Sequence, residues 1–304
     1  MNISILFVGA VKDGGFNERA LSGVERLHDT SNAQLTVVDG IPYDPMKMSD
    51  ALSGAAQHSD GVVFIGGQGN QITPAVAQAF PNCSFAVVQG NIFADNIASY
   101  DVLQEQSAFL AGVLAARLSK TGIIGHLSGH RVVPGLKGRA AFVAGARFAH
   151  ANIRVITGFC GTQDDSAITE AWASAMADQG VDLLFTMLNA ARTGATKACR
   201  ATGMRQIGNA TDWSAKDPDV FAASALARID LGVERAITDM LAGKRPATVQ
   251  KLGLADKAVG LAYAPDISMA LHSHIALIAN QISEQKITVD THYAGPEFSL
   301  ETSE

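Results

Sequence analysis

Val8-Gly9-Ala10-Val11-Lys12-Asp13-Gly14-Gly15-Phe16-Asn17-Glu18-Arg19-Ala20-Leu21-Ser22-Gly23 is the stretch that decides how the chain is read. The apolar run before it, 3–8, predicts a strand, the glycines around Asp13 a turn, and 17–27 a helix. A strand that passes through a tight glycine turn into a helix opens a βα unit, and such units bind ligands at the carboxyl ends of their strands. The turn presents one aromatic ring and one carboxamide there, Phe16 and Asn17. Together they suit a flat, polar small molecule, with the ring against its face and the amide supplying a donor and an acceptor to its edge.

Outward from this segment the pattern repeats. Short apolar runs predict strands at 3–8, 35–38, 61–65, 84–88, 97–100, 123–127, 154–157, 183–187, 206–209 and 220–224, with helices at 17–27, 45–58, 73–80, 106–118, 136–150, 165–179, 193–202, 230–241 and 266–285. Alternation of this length closes into one (β/α)8 barrel or splits into two open parallel sheets. Two places favour the split: Ser99-Tyr100-Asp101 before a long apolar helix, and the loop Asn209 to Ser214 before a further strand and helix. No Pro/Ser-rich linker separates halves, so short hinge strands carry the crossing.

A chain of 304 residues, 47% hydrophobic and 17% charged, has apolar material for two cores and none of the signature of disorder. Its net charge of -6 argues against nucleic acid and anionic membranes as partners. No apolar run is long enough for a transmembrane segment. Cys83, Cys160 and Cys199 show no metal-ligand spacing and read as small buried hydrophobes. The chain opens directly on strand residues, with no leader or lipobox cysteine, so it is either cytoplasmic or exported by a segment outside it.

Chemistry finds no anchor. The first turn is not GxGxxG, and Asp39 after the second strand reads as a turn or cap residue rather than a ribose ligand. Gly66-Gly67-Gln68-Gly69-Asn70 lacks the Lys-Ser/Thr of a P-loop and reads as a strand-to-helix turn. His126 and His130 flank a loop, not a helix face, so no metal is expected. Asp165 reads as a helix cap with Asp164 complementing the dipole, and no serine sits in a GxSxG elbow. No catalytic residue and no cofactor is therefore assigned. Trp172 reads as packing, whereas Trp213, in a loop after a strand, is a candidate for ligand contact, as is part of the polar cluster Asp101, Gln104, Glu105, Gln106.

Asp13-Gly14-Gly15-Phe16-Asn17 with Gly23 resembles the Asp-Lys-Ser-Phe-Asn opening of the basic membrane protein family, the PnrA-like substrate-binding proteins of ABC transporters. Asn96-Ile97-Ala98-Ser99, Phe109-Leu110-Ala111-Gly112, Thr121-Gly122-Ile123-Ile124-Gly125, Phe142-Val143-Ala144-Gly145, Gly180-Val181-Asp182, Ile207-Gly208 and Ser224 to Asp230 continue the likeness over nearly the whole chain. The resemblance implies a type I periplasmic-binding-protein fold, with two Rossmann-like α/β lobes of parallel strands, three hinge crossings and a ligand in the cleft. The expected lobes are 1–101 with 225–257 and 102–224 with 258–304. It further implies a purine base or nucleoside as ligand, an ABC permease as partner if the protein is exported, and an extracytoplasmic location. Carried over by position, Phe16 stacks on the base, Asn17 hydrogen-bonds it, Gln104 with Asp101 falls near a base-reading carboxylate, and Asp212 matches an acid of the family. Asp13, Trp213 and Asp256 complete the candidate set.

The departures fall on the sugar side. Nucleoside-binding members carry an acid at the exit of the first strand, a second aromatic wall and a lysine, where this chain has Phe7, Thr196 and Ala227, with Arg228 adjacent. Sugar hydroxyls left unpaired cost roughly 1–3 kcal/mol per buried group, which favours a free base, or another small heterocycle, over a nucleoside. Two other readings follow from the same residues: a cytoplasmic ligand-sensing regulator of the same fold, and an enzyme that processes nucleosides.

Overall fold

The computed structural model describes residues 1–28 and 30–300. In chain order its elements are β1 (Asn2–Val8), α1 (Phe16–His28), β2 (Gln34–Ile41), α2 (Pro45–Ala56), β3 (Gly61–Ile65), α3 (Gly69–Ala79), β4 (Ser84–Val88), β5 (Ile97–Val102), α4 (Gln104–Leu118), β6 (Ile123–Ser128) and α5 (Val133–Ala149). There follow β7 (Arg154–Phe159), α6 (Ser166–Asp178), β8 (Leu183–Met187), α7 (Arg192–Thr202), β9 (Arg205–Ala210), β10 (Phe221–Ala227), α8 (Ile229–Leu241), β11 (Gln250–Leu252), β12 (Val259–Tyr263) and α9 (Met269–Ser283). The chain forms two compact units, Met1–Val102 with Arg228–Leu252, and Leu103–Ala227 with Gly253 onward. The three passages thus fall at 102/103, 227/228 and 252/253, which moves residues 225–227 and 253–257 to the second unit and residue 102 to the first relative to the sequence reading.

The first unit is a sheet of order β11-β5-β4-β3-β1-β2, parallel throughout. Gly61-Val62-Val63-Phe64-Ile65 of β3 is buried at every position, as a strand covered by helices on both faces must be. Helix α1 lies against α8 through Gly23, where a Cβ would come within 2.5 Å of the Asp230 carbonyl oxygen. Asp230 is fully buried there and takes Arg19 at 2.9 Å and Arg228 at 2.8 Å, with Arg26 as a third partner. Burial alone would push its carboxyl up, but the Arg228 hydrogen bond and the charges of Arg19 and Arg26 outweigh that and hold it below the usual carboxylate range.

The second unit has the order β12-β10-β9-β8-β6-β7. It is parallel except that β12 runs antiparallel to β10, pairing Ala223 with Tyr263 and Ala227 with Val259. Helices α4 and α5 cross at their glycines: a Cβ on Gly112 would lie 2.1 Å from Phe142 O, and one on Gly145 2.0 Å from Phe109 O. Two motifs of the sequence resemblance are thus the two halves of one close helix crossing. After α9 the chain returns to the edge strand β7, where the Phe298 N–H donates to Thr157 O at 2.8 Å and its ring meets Trp172 edge-on at 5.7 Å. Glu297 there pairs with Arg131 at 2.6 Å and with Arg139. The Arg131 hydrogen bond foremost holds the Glu297 carboxyl down at about 2.

Strand for strand the two sheets repeat one order, β2-β1-β3-β4-β5-β11 against β7-β6-β8-β9-β10-β12. Among the described residues no helix is long and apolar enough to cross a membrane. Elements differ from the sequence reading where local signals mislead. Helix α3 starts at Gly69 rather than 73, because Pro74 sits inside it and not at its first turn. Helix α9 starts at Met269, capped by Ser268 Oγ. Strands β11 and β12 were not expected: the first is three residues long, the second only partly buried.

Candidate functional site

The turn after β1 is built by its own polar side chains. Asp13 is buried, and its carboxylate accepts from the N–H groups of Gly15 at 2.8 Å, Asn17 at 3.0 Å and Glu18 at 3.1 Å, capping α1. Asn17 is 3% exposed, and both hydrogens of its amide are spent on backbone carbonyls, Val8 O at 2.9 Å and Ala10 O at 3.0 Å. The hydrogens of the Asn17 amide therefore brace the turn. What the turn presents is Phe16, half-buried at the first position of α1. The ring thus stands at the carboxyl end of β1, on a loop held by its own hydrogen bonds.

Gln89, at the carboxyl end of β4, was missed in the sequence. It has φ +67, a left-handed conformation that is costly for any residue but glycine. Its side chain is buried, and neither Nε2 nor Oε1 has a hydrogen-bond partner. The backbone around it is firmly held, with the Gln89 N–H on Tyr100 O at 2.7 Å and the Asn91 N–H on Asn70 Oδ1 at 2.8 Å. In the second unit Ala210 ends β9, the counterpart of β4, with φ +64, and the next residue, Thr211, has a buried hydroxyl without a partner. The serines behind these loops match as well. Ser99, opposite Val87, accepts from Ile92 N at 3.2 Å; Ser224, opposite Gly208, accepts from Trp213 N at 2.8 Å and Ser214 N at 3.1 Å. In each repeat the left-handed residue lies two positions beyond the serine's partner. A polar residue in the middle of an apolar strand exit was the only trace of this in the sequence, since backbone strain leaves no compositional mark.

The remaining candidates divide between the two units. Asp101 is buried in β5 opposite Lys251, and Gln104 is buried at the start of α4, in the second unit. Their neighbours are committed elsewhere: Glu105 pairs with Lys137 at 2.7 Å, and Gln106 Oε1 accepts from Leu254 N at 2.8 Å. Asp212 shapes its own loop, accepting from Ser214 Oγ at 2.6 Å and Ala215 N at 3.0 Å. Trp213 is packed into the second unit, with the Arg192 guanidinium 3.2 Å over its ring, Lys216 at 4.3 Å and Phe221 at 6.0 Å, and its indole N–H on Asn209 O. Trp213 itself is partly exposed. Asp256 is exposed and closes a turn by accepting from Gly253 N at 2.8 Å. On the expected sugar side, Phe7 is wholly buried and the Thr196 hydroxyl is spent on Arg192 O and Gln206 Oε1.

His126 is fully buried between the hydroxyls of Thr157 at 3.0 Å and Ser128 at 3.3 Å, and burial pushes it down to about 3, so it is neutral. The three cysteines are free, and burial raises each thiol, Cys83 to about 11 and Cys199 to about 12. Among the described residues no three His, Cys, Asp or Glu side chains gather as a metal ion would require.

Residues 1–292 match the family described as ABC transporter substrate-binding protein PnrA-like. The chain belongs to this family. Basic membrane protein D of Borreliella burgdorferi is 26% identical over 234 residues, 75% of this chain and 68% of its own. A purine-binding protein of Brucella abortus is 25% identical over 231 residues, 72% of this chain and 63% of its own. A solute-binding protein of an ABC transporter system from Aeropyrum pernix shares the fold, with a TM-score of 0.85 at 22% identity over 97% of this chain and 94% of that one. As a PnrA-like protein the chain is of a substrate-binding rather than an enzymatic family, with type I periplasmic solute-binding proteins as its structural neighbours.

Proposed function

We propose that this protein is the solute-binding component of an ABC-type importer, that it works outside the cytoplasmic membrane with a permease as partner, and that it carries a purine-like base without altering it. The observation that supports the ligand is Phe16, a ring at the exit of β1 on a turn held in place by the Asp13 carboxylate and the amide hydrogens of Asn17. A fixed aromatic face binds a planar heterocycle with little ordering cost. The burial of apolar Phe7 and the internal bonding of Thr196 support a free base over a nucleoside, since neither offers a partner to ribose hydroxyls. Titration calorimetry with adenine, guanine, hypoxanthine and their nucleosides tests this: the bases are expected to give heat at micromolar to low millimolar concentration and the nucleosides less. Absence of heat from every purine at millimolar concentration removes the ligand assignment, and release of free base from inosine or adenosine removes the claim that no reaction occurs.

A further inference from the structure

We propose that Gln89 is a ligand-reading residue, its buried and unpaired carboxamide meeting an adjacent donor and acceptor on the edge of the heterocycle; this rests on the purine reading above. Two independent features of Gln89 point the same way, beyond the left-handed turn that Ala210 shares in the second unit. Its side chain is 2% exposed, yet both amide atoms lack any partner. It also stands at the carboxyl end of β4, in the middle of the first sheet, where open α/β sheets place ligands.

Buried polar groups in folded proteins are almost always paired, and an exception calls for a cause. A purely structural residue at this position would have been better served by glycine for the backbone and by an apolar side chain for the enclosure. The backbone is not loose enough to explain the strain, since Gln89 N–H, Asn91 N–H and Ile92 N–H are all engaged, by Tyr100 O, Asn70 Oδ1 and Ser99 Oγ. The fold therefore over-determines the turn and holds the amide unspent. A carboxamide carries one donor and one acceptor side by side, which fits the amino group and ring nitrogen of adenine or the lactam edge of hypoxanthine. Because the amide can turn over, it accepts either polarity. Sugar hydroxyls, each both donor and acceptor, need no such pair. The amide is shut off from solvent in this conformation, so the enclosure must open for uptake and release.

The test compares wild type, Gln89→Met and Gln89→Gly in binding adenine, hypoxanthine and unsubstituted purine, together with their unfolding midpoints in the absence of ligand. Wild type is expected to prefer adenine or hypoxanthine over purine by tenfold or more, and both variants to lose that preference. Ligand-free, Gln89→Met should be no less stable than wild type and Gln89→Gly more stable, since it also relieves the backbone. A preference that survives in Gln89→Met overturns the proposal while leaving the purine reading intact. A wild type that binds none of the three compounds defeats the purine reading, and Gln89 is then judged on the midpoints: a Met variant less stable than wild type shows a structural amide and overturns the inference, whereas equal or greater stability upholds an amide reserved for another ligand.

Discussion

Asn17 separates a residue that touches the ligand from one that holds the ligand's platform, and Asn17→Asp is the substitution that tells them apart. The change keeps the side chain's shape but replaces its NH2 by oxygen, at a point 2.9 Å from Val8 O and 3.0 Å from Ala10 O. Two hydrogen bonds of roughly 0.5–1.5 kcal/mol each are lost, and two carbonyls face an acceptor instead, so the local cost is about 2–4 kcal/mol. Protonation of the new carboxyl recovers at most one of the bonds, which makes the loss smaller in acid. Hydrogen exchange over β1 and the first turns of α1 should rise accordingly, measured against wild type at neutral pH. Affinity for the purine should fall as well, but only through Phe16: on a Phe16→Ala background, Asn17→Asp should cost little more, because the platform it braces is already gone. An Asn17→Asp variant with unchanged exchange protection and an affinity loss that adds fully to that of Phe16→Ala would refute the bracing role and return Asn17 to the ligand.

Other consequences are as definite. Phe16→Ala should weaken purine binding by about 1–3 kcal/mol, as loss of a base–aromatic stack does, without lowering the unfolding midpoint by calorimetry. Gly145→Ala drives a methyl into Phe109 O and should destabilise the second unit by about 3 kcal/mol or more, with Gly112→Ala adding less than its separate cost because one outward shift of the helices relieves both; urea unfolding followed by the fluorescence of Trp172 and Trp213, both in the second unit, reports it. Acid should weaken that unit in two steps: His126, ordinarily near 6.5 and held at about 3, favours the fold above pH 6.5 and loses this as pH falls towards 3, and Glu297, ordinarily 4.5 and held at about 2, does the same from pH 4.5 down. His126→Gln should flatten the first step in the same fluorescence assay, and an unchanged slope between pH 6.5 and 4.5 would count against it.

Much of the architecture was legible because the signals are long-range and redundant. Short, β-branched apolar runs such as Gly61-Val62-Val63-Phe64-Ile65 read as strands buried on both faces, and Asp165 announces α6 by capping it at Ala167 and Ile168. The site was read less well, for a physical reason. Residue type shows what a side chain can donate or accept, not whether its neighbours have already taken it, so Asn17 and Trp213 looked available and are engaged. Gln89 is the converse, an ordinary glutamine by type whose strain and missing partners exist only in three dimensions. β12 escaped because its antiparallel pairing with β10 depends on where the chain returns, not on its own five residues.

The repeated sheet order gives the molecule a built-in comparison. Each unit is a solution to the same topological problem with a different set of side chains, so what both retain, a serine on β5 or β10 and a left-handed residue two positions past its partner, is what that loop geometry demands of any sequence. What they do not share is then free of that demand: glutamine in one and alanine in the other at the same turn, asparagine latching one loop and tryptophan under arginine filling the other. If Gln89 reads the ligand as proposed, exchanging those side chains between halves is the change that asks whether recognition resides in the side chain or in the turn that both halves share.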